Sequence, residues 1–272
     1  MQNNNTAETV KVFFIGDIIG RPGRNAVKGL LPDIIEKYAI DFVIANGENA
    51  AGGFGITPNI AEELIGLNID VITSGNHIWD KKEIIGYIRD KKWLLRPANY
   101  PEGVPGSGWA VMKTRSDIKI GIFNLCGRVF MDNLDCPFKV GSEILKQIAH
   151  ETSIIILDMH AETTSEKAAM AWFLDGKVSA VIGTHTHVQT ADERILPQGT
   201  AFITDAGMTG SLNSVIGMQK EIVLERFLTQ MPQKFEVAAN DVIMQGVVVS
   251  IDVVSGKAMA IERINIPLQN RL

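Results

Sequence analysis

The sequence predicts an α/β fold built around a largely parallel sheet. Three observations predict it. Short apolar, β-branched runs end abruptly in polar loops containing Gly or Asn. Helical stretches alternate with those runs. In the last third of the chain, strand-like runs follow one another more directly, which calls for mixed sheets.

The elements follow in order. Residues 10–15 form a buried strand that stops at Gly16-Asp17, and Pro22 sits in the first turn of a helix reaching Tyr38. Residues 41–45 form a second strand, ending in Asn46-Gly47-Glu48-Asn49. Thr57-Pro58 opens a helix to about Leu67, and 70–73 is a third strand ending in Ser74-Gly75-Asn76-His77. Residues 96–109, rich in Pro and Gly, read as an irregular loop. Strands at 119–125, 153–158 and 178–182 follow, with helices near 140–149 and 164–174; the last two strands lead to His160 and to Gly183-Thr184-His185-Thr186-His187. Beyond them come strands at 201–204, 242–252 and 258–265, the last two an antiparallel pair, with a loop at 205–217 and a helix near 219–229. Residues 1–9 read as a polar tail and 10–272 as one domain without internal repeats.

Composition narrows the function. With 46% hydrophobic residues the chain can build a core large enough to hold a buried site rigidly. A net charge of −5 argues against duplex nucleic acid as the main ligand, whereas a small anion can still bind where metals supply positive charge. Two cysteines without a CxxC pair, a polar amino terminus and no long apolar run lead us to expect a cytoplasmic protein that does not enter a membrane.

The chemistry lies at the strand ends. Asp17, Glu48, Asn76, His160, His185 and His187 each follow a predicted strand, and open α/β sheets bind ligands beyond those carboxyl ends. Taken singly, each has an ordinary reading: Asp17 as a helix cap, Asn76 as a turn residue, His160 as a hydrogen-bonded core histidine. Together they form a set of carboxylate, amide and imidazole donors suited to Mn, Fe or Zn. His185 and His187 point the same way if their backbone is extended. Glu48 is the candidate bridge between two ions, and His77 is the candidate acid for a leaving oxygen. The expected reaction is attack on phosphorus by a metal-bridging hydroxide. Arg96 and Arg128 are weighed as phosphate contacts or surface residues; no substrate-binding residue is assigned.

These residues resemble the calcineurin-like metallophosphoesterase superfamily: GD at 16–17, NGEN at 46–49, GNH at 75–77, His160 and GTHTH at 183–187. Ile19 stands where that pattern usually has a histidine, and Glu48 where it has a bridging aspartate. Both departures resemble the bacterial YmdB-like branch, as do FIGDIIGRPGR, NGENAAGG, SGNHIWDKKEI, RPANYPEG, HAETTSEK and GTHTHVQTADERILPQGTAFITDAGMTG, which together span most of the chain. The resemblance implies a four-layer α-β-β-α sandwich and a dinuclear iron or manganese centre. It implies that Asp17, Glu48, Asn49 and His187 hold one ion, and that Glu48, Asn76, His160 and His185 hold the other. It implies hydrolysis of 2′,3′-cyclic nucleotides, with 3′,5′-cyclic nucleotides as a further substrate, and a homo-oligomer. The competing readings are a phosphomonoesterase or protein phosphatase on the same centre, and a nucleotide-sensing partner in RNA turnover.

Overall fold

The strands of the computed structural model take their places by alternation. In β1 (Thr9–Ile15), Phe13 and Ile15 face one side while Val12 and Phe14 face the other, and all four are fully buried. A strand buried on both faces needs a layer on each side. Residues 8–269 are described. The first seven residues of the expected tail lie outside them, and Thr9 already belongs to β1.

After the two-residue β2 (Asp17–Ile18), α1 (Gly20–Tyr38) lays Val27, Leu31 and Ile34 onto the outer face of the first sheet. β3 (Phe42–Asn46) pairs with β1 in parallel. α2 (Pro58–Ile65) starts where Thr57 accepts a hydrogen bond from the Ile60 amide and Pro58 fills the first turn. β4 (Val71–Thr73) extends the parallel set, and a short helix α3 (Ile84–Tyr87) follows it.

The second sheet begins with β5 (Trp109–Lys113), at the end of what the sequence reads as loop, antiparallel to β6 (Lys119–Cys126). α4 (Pro137–Ile148), β7 (Ile155–His160), α5 (Thr164–Leu174) and β8 (Ala180–Thr184) continue as right-sized α/β units, with β6, β7 and β8 parallel. β9 (Arg194–Ile195) and β10 (Ala201–Ile203) complete that sheet. The chain then returns to the first sheet. β11 (Met208–Ser211) falls inside the segment expected to be loop, and α6 (Lys220–Thr229) follows. β12 (Val242–Asp252) and β13 (Ala258–Pro267) form the expected antiparallel pair.

The first sheet runs β2-β11-β12-β1-β3-β4 with β13 on β12, and the second runs β5-β6-β7-β8-β10-β9. Three apolar cores separate four layers. One lies between α1 and α2 and the first sheet, one between the sheets, and one between the second sheet and α4 and α5. This is the expected α-β-β-α sandwich. No helix among the described residues is long and apolar enough to cross a membrane. Arg96 is not a phosphate contact: it is buried and donates to the carbonyls of Pro97, Val104 and Pro105, fixing the 96–107 loop.

Candidate metal centre

The strand ends of both sheets meet at one edge, and the residues singled out above gather there. Glu48, His160 and His185 form one group of potential ligands, and Asp17, Glu48 and His187 a second. Within each group the ligand atoms lie within 4.8 Å of one another, and Glu48 belongs to both. Asn76 places Oδ1 3.0 Å from His160 Nε2, which brings it into the first group. Asn49 sits in the second, with its Nδ2 3.2 Å from Glu48 Oε1 and 3.0 Å from His187 Nε2.

Of the ordinary readings of single residues, Asn76 does lie in a turn and only the Asp17 cap gives way. Asp17 caps no helix: Ile19 is the N-cap of α1, and Asp17 Oδ2 instead accepts the His185 amide at 3.2 Å. Its Oδ1 is buried without a hydrogen-bond partner. His160 is indeed a buried, hydrogen-bonded histidine, but only one of its ring nitrogens serves the scaffold.

The tautomers follow from the neighbours. The Thr184 hydroxyl donates its single proton to Asp158 Oδ1 at 2.7 Å, so it accepts from His160 Nδ1 at 2.9 Å. That leaves His160 Nε2 aimed at Glu48 and Asn76. His187 Nδ1 donates to the Ile216 carbonyl at 2.9 Å, which turns its Nε2 toward Asp17 and Asn49. His185 pairs its Nε2 with Glu162 at 3.1 Å, turning Nδ1 to within 3.0 Å of His160 Nε2. Carboxylate, amide and imidazole atoms thus converge from several strand ends, and one carboxylate oxygen is orphaned. Such a set is satisfied by cations, and the residues fit metal ions.

The same crowding appears as acid–base character. Burial pushes Asp17 up to about 7 against the opposing charges of His187 and His160. Burial also opposes ionisation of Glu48, but the charge and hydrogen bond of His160, with His77 and His185, hold it down at about 2. Burial is outweighed at His160 too, where Glu48, Asp17 and Asp158 raise the imidazole to about 9. His185 drops to about 3 through burial and the charge of His160.

One expectation about shape is corrected. His185 and His187 do not share a face of an extended strand; their φ angles are 97° and 62°, in the left-handed region. The strained turn is held by Asp205, which accepts from the Thr186 amide at 3.1 Å and its hydroxyl at 2.7 Å. Asp205 is paired at 2.8 Å with Lys167, both fully buried. The turn sends the two histidines to different ligand groups.

His77 lies beside the cluster, half-buried, with its amide 3.3 Å from Glu48 Oε2. Its Nδ1 donates to Asp80 at 2.9 Å, and Phe54 packs edge-on against its ring. A cavity of about 510 Å³ opens from here, reaching from Glu48, Asn49 and the histidines to Val215, Ile216 and α6. A larger recess of about 710 Å³, near Arg21 and Lys234, contains none of these residues.

Sequence reasoning missed the supporting residues Asp80, Asp158, Glu162, Thr184, Asp205 and Lys167. Two carried a signal: Asp158 is a charge inside the apolar run of β7, and Lys167 occupies the core-facing register of Met170, Ala171 and Leu174.

Comparison with known proteins agrees with this geometry. A Thermus thermophilus protein of known structure is similar, with a TM-score of 0.89, 40% identity, and coverage of 96% of this chain and 100% of that one. A Mycoplasma pneumoniae structure described as a novel phosphatase matches with a TM-score of 0.89, 37% identity, and coverage of 96% and 94%. The two packed sheets are those of the metallophosphoesterase fold. The 2′,3′-cyclic-nucleotide 2′-phosphodiesterase of Bacillus subtilis is 49% identical over 94% of this chain and 96% of its own length. The model of the YmdB-like protein family matches residues 13–264, so every element from β2 to β12 lies within it, with parts of β1 and β13. With strands, cluster and near-complete coverage in agreement, the chain belongs to the YmdB-like family.

Proposed function

We propose that this chain, acting through residues 10–272 as one unit, is a dinuclear-metal phosphodiesterase that opens 2′,3′-cyclic nucleotides and also accepts 3′,5′-cyclic nucleotides. The observation that carries this reading is the pair of ligand groups sharing Glu48 beside His77 and an open cavity. The activity of the Bacillus subtilis relative supports it. Asp17, Glu48, Asn49 and His187 would hold one ion, and Glu48, Asn76, His160 and His185 the other, with iron or manganese favoured over zinc.

Two such ions supply Lewis acidity toward phosphoryl oxygens and an acidified water as nucleophile. The chain supplies the rest. Thr184, Ile216 and Glu162 each engage one ring nitrogen of a ligating histidine, which aims the other nitrogen at the ligand group. Asn49, whose Nδ2 faces Glu48 and His187 here, would hold an ion through its amide oxygen. Asp80 accepts from His77 Nδ1, which holds the ring in place as the acid for the departing ribose oxygen. Phe54 restricts rotation of that ring.

The test is to purify the protein without chelators, measure its metals, and assay 2′,3′-cyclic AMP beside Asp17→Asn. About two equivalents of metal per chain, with turnover lost in the variant, is the expected result. A metal-loaded protein that leaves every cyclic nucleotide and model diester intact refutes the reading. The phosphatase description of the Mycoplasma pneumoniae structure favours a second reading, monoester hydrolysis on the same centre. A dominant rate on a mono-aryl over a bis-aryl phosphate selects it.

A further inference from the structure

The cavity beside the metal centre has two chemically different ends. One end is the ligand cluster with His77; the other is apolar and aromatic, formed by Met218, Val223 and Phe227 with Phe235. At about 510 Å³ it has the volume of a small-molecule site, far more room than a phosphate group needs. Arg226 is the one Lys or Arg lining it among the described residues. Its guanidinium lies 5.2 Å from the Phe235 ring centroid and, among the described residues, is engaged in no hydrogen bond or ion pair. A guanidinium backed by an aromatic ring offers its outer plane to a further flat group, and nucleobases stack on such planes.

We propose that the wall formed by α6 and Phe235 receives the nucleobase of the substrate, which stacks on the Arg226 plane while its phosphate sits at the ligand cluster. The proposal rests on the phosphodiesterase reading and adds its specificity site. The polarity supports it: a nucleotide is anionic at one end and flat and apolar at the other, in the same order as the cavity. The loop at 213–218 ties the two ends together, because Ile216 lines the cavity while its carbonyl holds His187.

The test compares specificity constants of the metal-loaded full chain for 2′,3′-cyclic AMP and for ribose 2′,3′-cyclic phosphate, which lacks the base. The wild type prefers the nucleotide. Arg226→Ala and Phe235→Leu each reduce that preference by about 10-fold, mainly through KM, the effect of losing one stacking contact. Arg226→Lys keeps the charge, loses the plane and also fails to restore the preference. An undiminished preference in the Ala and Leu variants overturns the proposal. So does an equal loss on both substrates, which would make Arg226 a phosphate ligand, or full rescue by Lys. Inactivity of the wild type on both substrates refutes the hydrolytic reading and the base site with it.

Discussion

Gly75 offers the sharpest test of the cluster's geometry. It stands between Ser74 and Asn76, where a Cβ would meet Glu48 Oε2 and the Nε2 and Cδ2 atoms of His160 at less than 3.0 Å. Ordinary van der Waals contact starts at 3.4 Å, so these atoms would have to retreat by more than 0.4 Å. Metal–ligand distances tolerate displacements of about 0.2 Å. The backbone at Gly75 is not left-handed, so Gly75→Ala is permitted by its own φ and the damage falls on the ligands alone. Glu48 belongs to both ligand groups, so an ion bound in either would be affected. We expect metal affinity to fall by about 10- to 100-fold. Turnover should fall by about 100-fold, as for a misplacement approaching 1 Å. Elemental analysis after gel filtration and the cyclic AMP assay read these out. Gly86→Ala, with nothing within 4 Å of the added carbon, is the control and should stay at wild-type activity. A Gly75→Ala protein with full metal and near-normal turnover would refute the placement of Glu48 and His160 as co-ligands.

Three further outcomes are expected. His77→Ala should keep its metal content but lose about 100-fold or more in kcat, and Asp80→Asn should lose less; metal loss in His77→Ala would count against its role as acid. Lys167→Met should destabilise the chain by about 3 kcal/mol in urea melts, because Asp205 stays buried without its cation, and should weaken metal binding through Thr186. In chelator-treated protein, His160 at about 9 against an ordinary 6.5 contributes stability below pH 6.5 that is lost as pH rises toward 9. Asp17, raised to about 7, adds to that loss near neutrality, whereas His185 and Glu48, both lowered, have completed their changes by about pH 6.5. Metal binding needs the deprotonated imidazole, so the rise in Tm on adding manganese should grow from pH 6.5 to 9; a pH-independent increment would contradict this.

Much of the fold and site was legible because it is local. The runs of β1, β3, β4, β7 and β8 are apolar and end in polar loops, and each candidate ligand is read from its place after such a run. The pairing of β12 with β13 follows from two strand-like runs a short turn apart. What escaped depends on partners distant in sequence. β2 has two residues and exists only because β11 lies beside it, and β11 itself, Met-Thr-Gly-Ser, has no pattern of its own. The left-handed turn at His185 and His187 is imposed by Asp205, 19 residues beyond Thr186. An extended backbone was the natural reading of the local sequence, and the tertiary anchor overrode it. The tautomer-setting contacts of Thr184 and Ile216 are likewise unreadable without coordinates.

The arrangement of donors explains why two sheets are needed at all. Asp17, Glu48, Asn49 and Asn76 come from the ends of strands in the first sheet. His160, His185 and His187 come from the second. Each ligand group therefore draws from both sheets, and any ion bound in either spans the sandwich. Beneath the site, Asn46 at the end of β3 donates to Asp158 of β7 at 3.0 Å, and Asp158 in turn anchors Thr184. That buried chain ties the sheets together directly under the ligands and sets the orientation of His160 at the same time. A shift between the sheets would thus misplace ligands of both groups together, so the inter-sheet core of Phe14, Ile44, Ile122 and Ile156 is as much a determinant of site geometry as the ligands themselves.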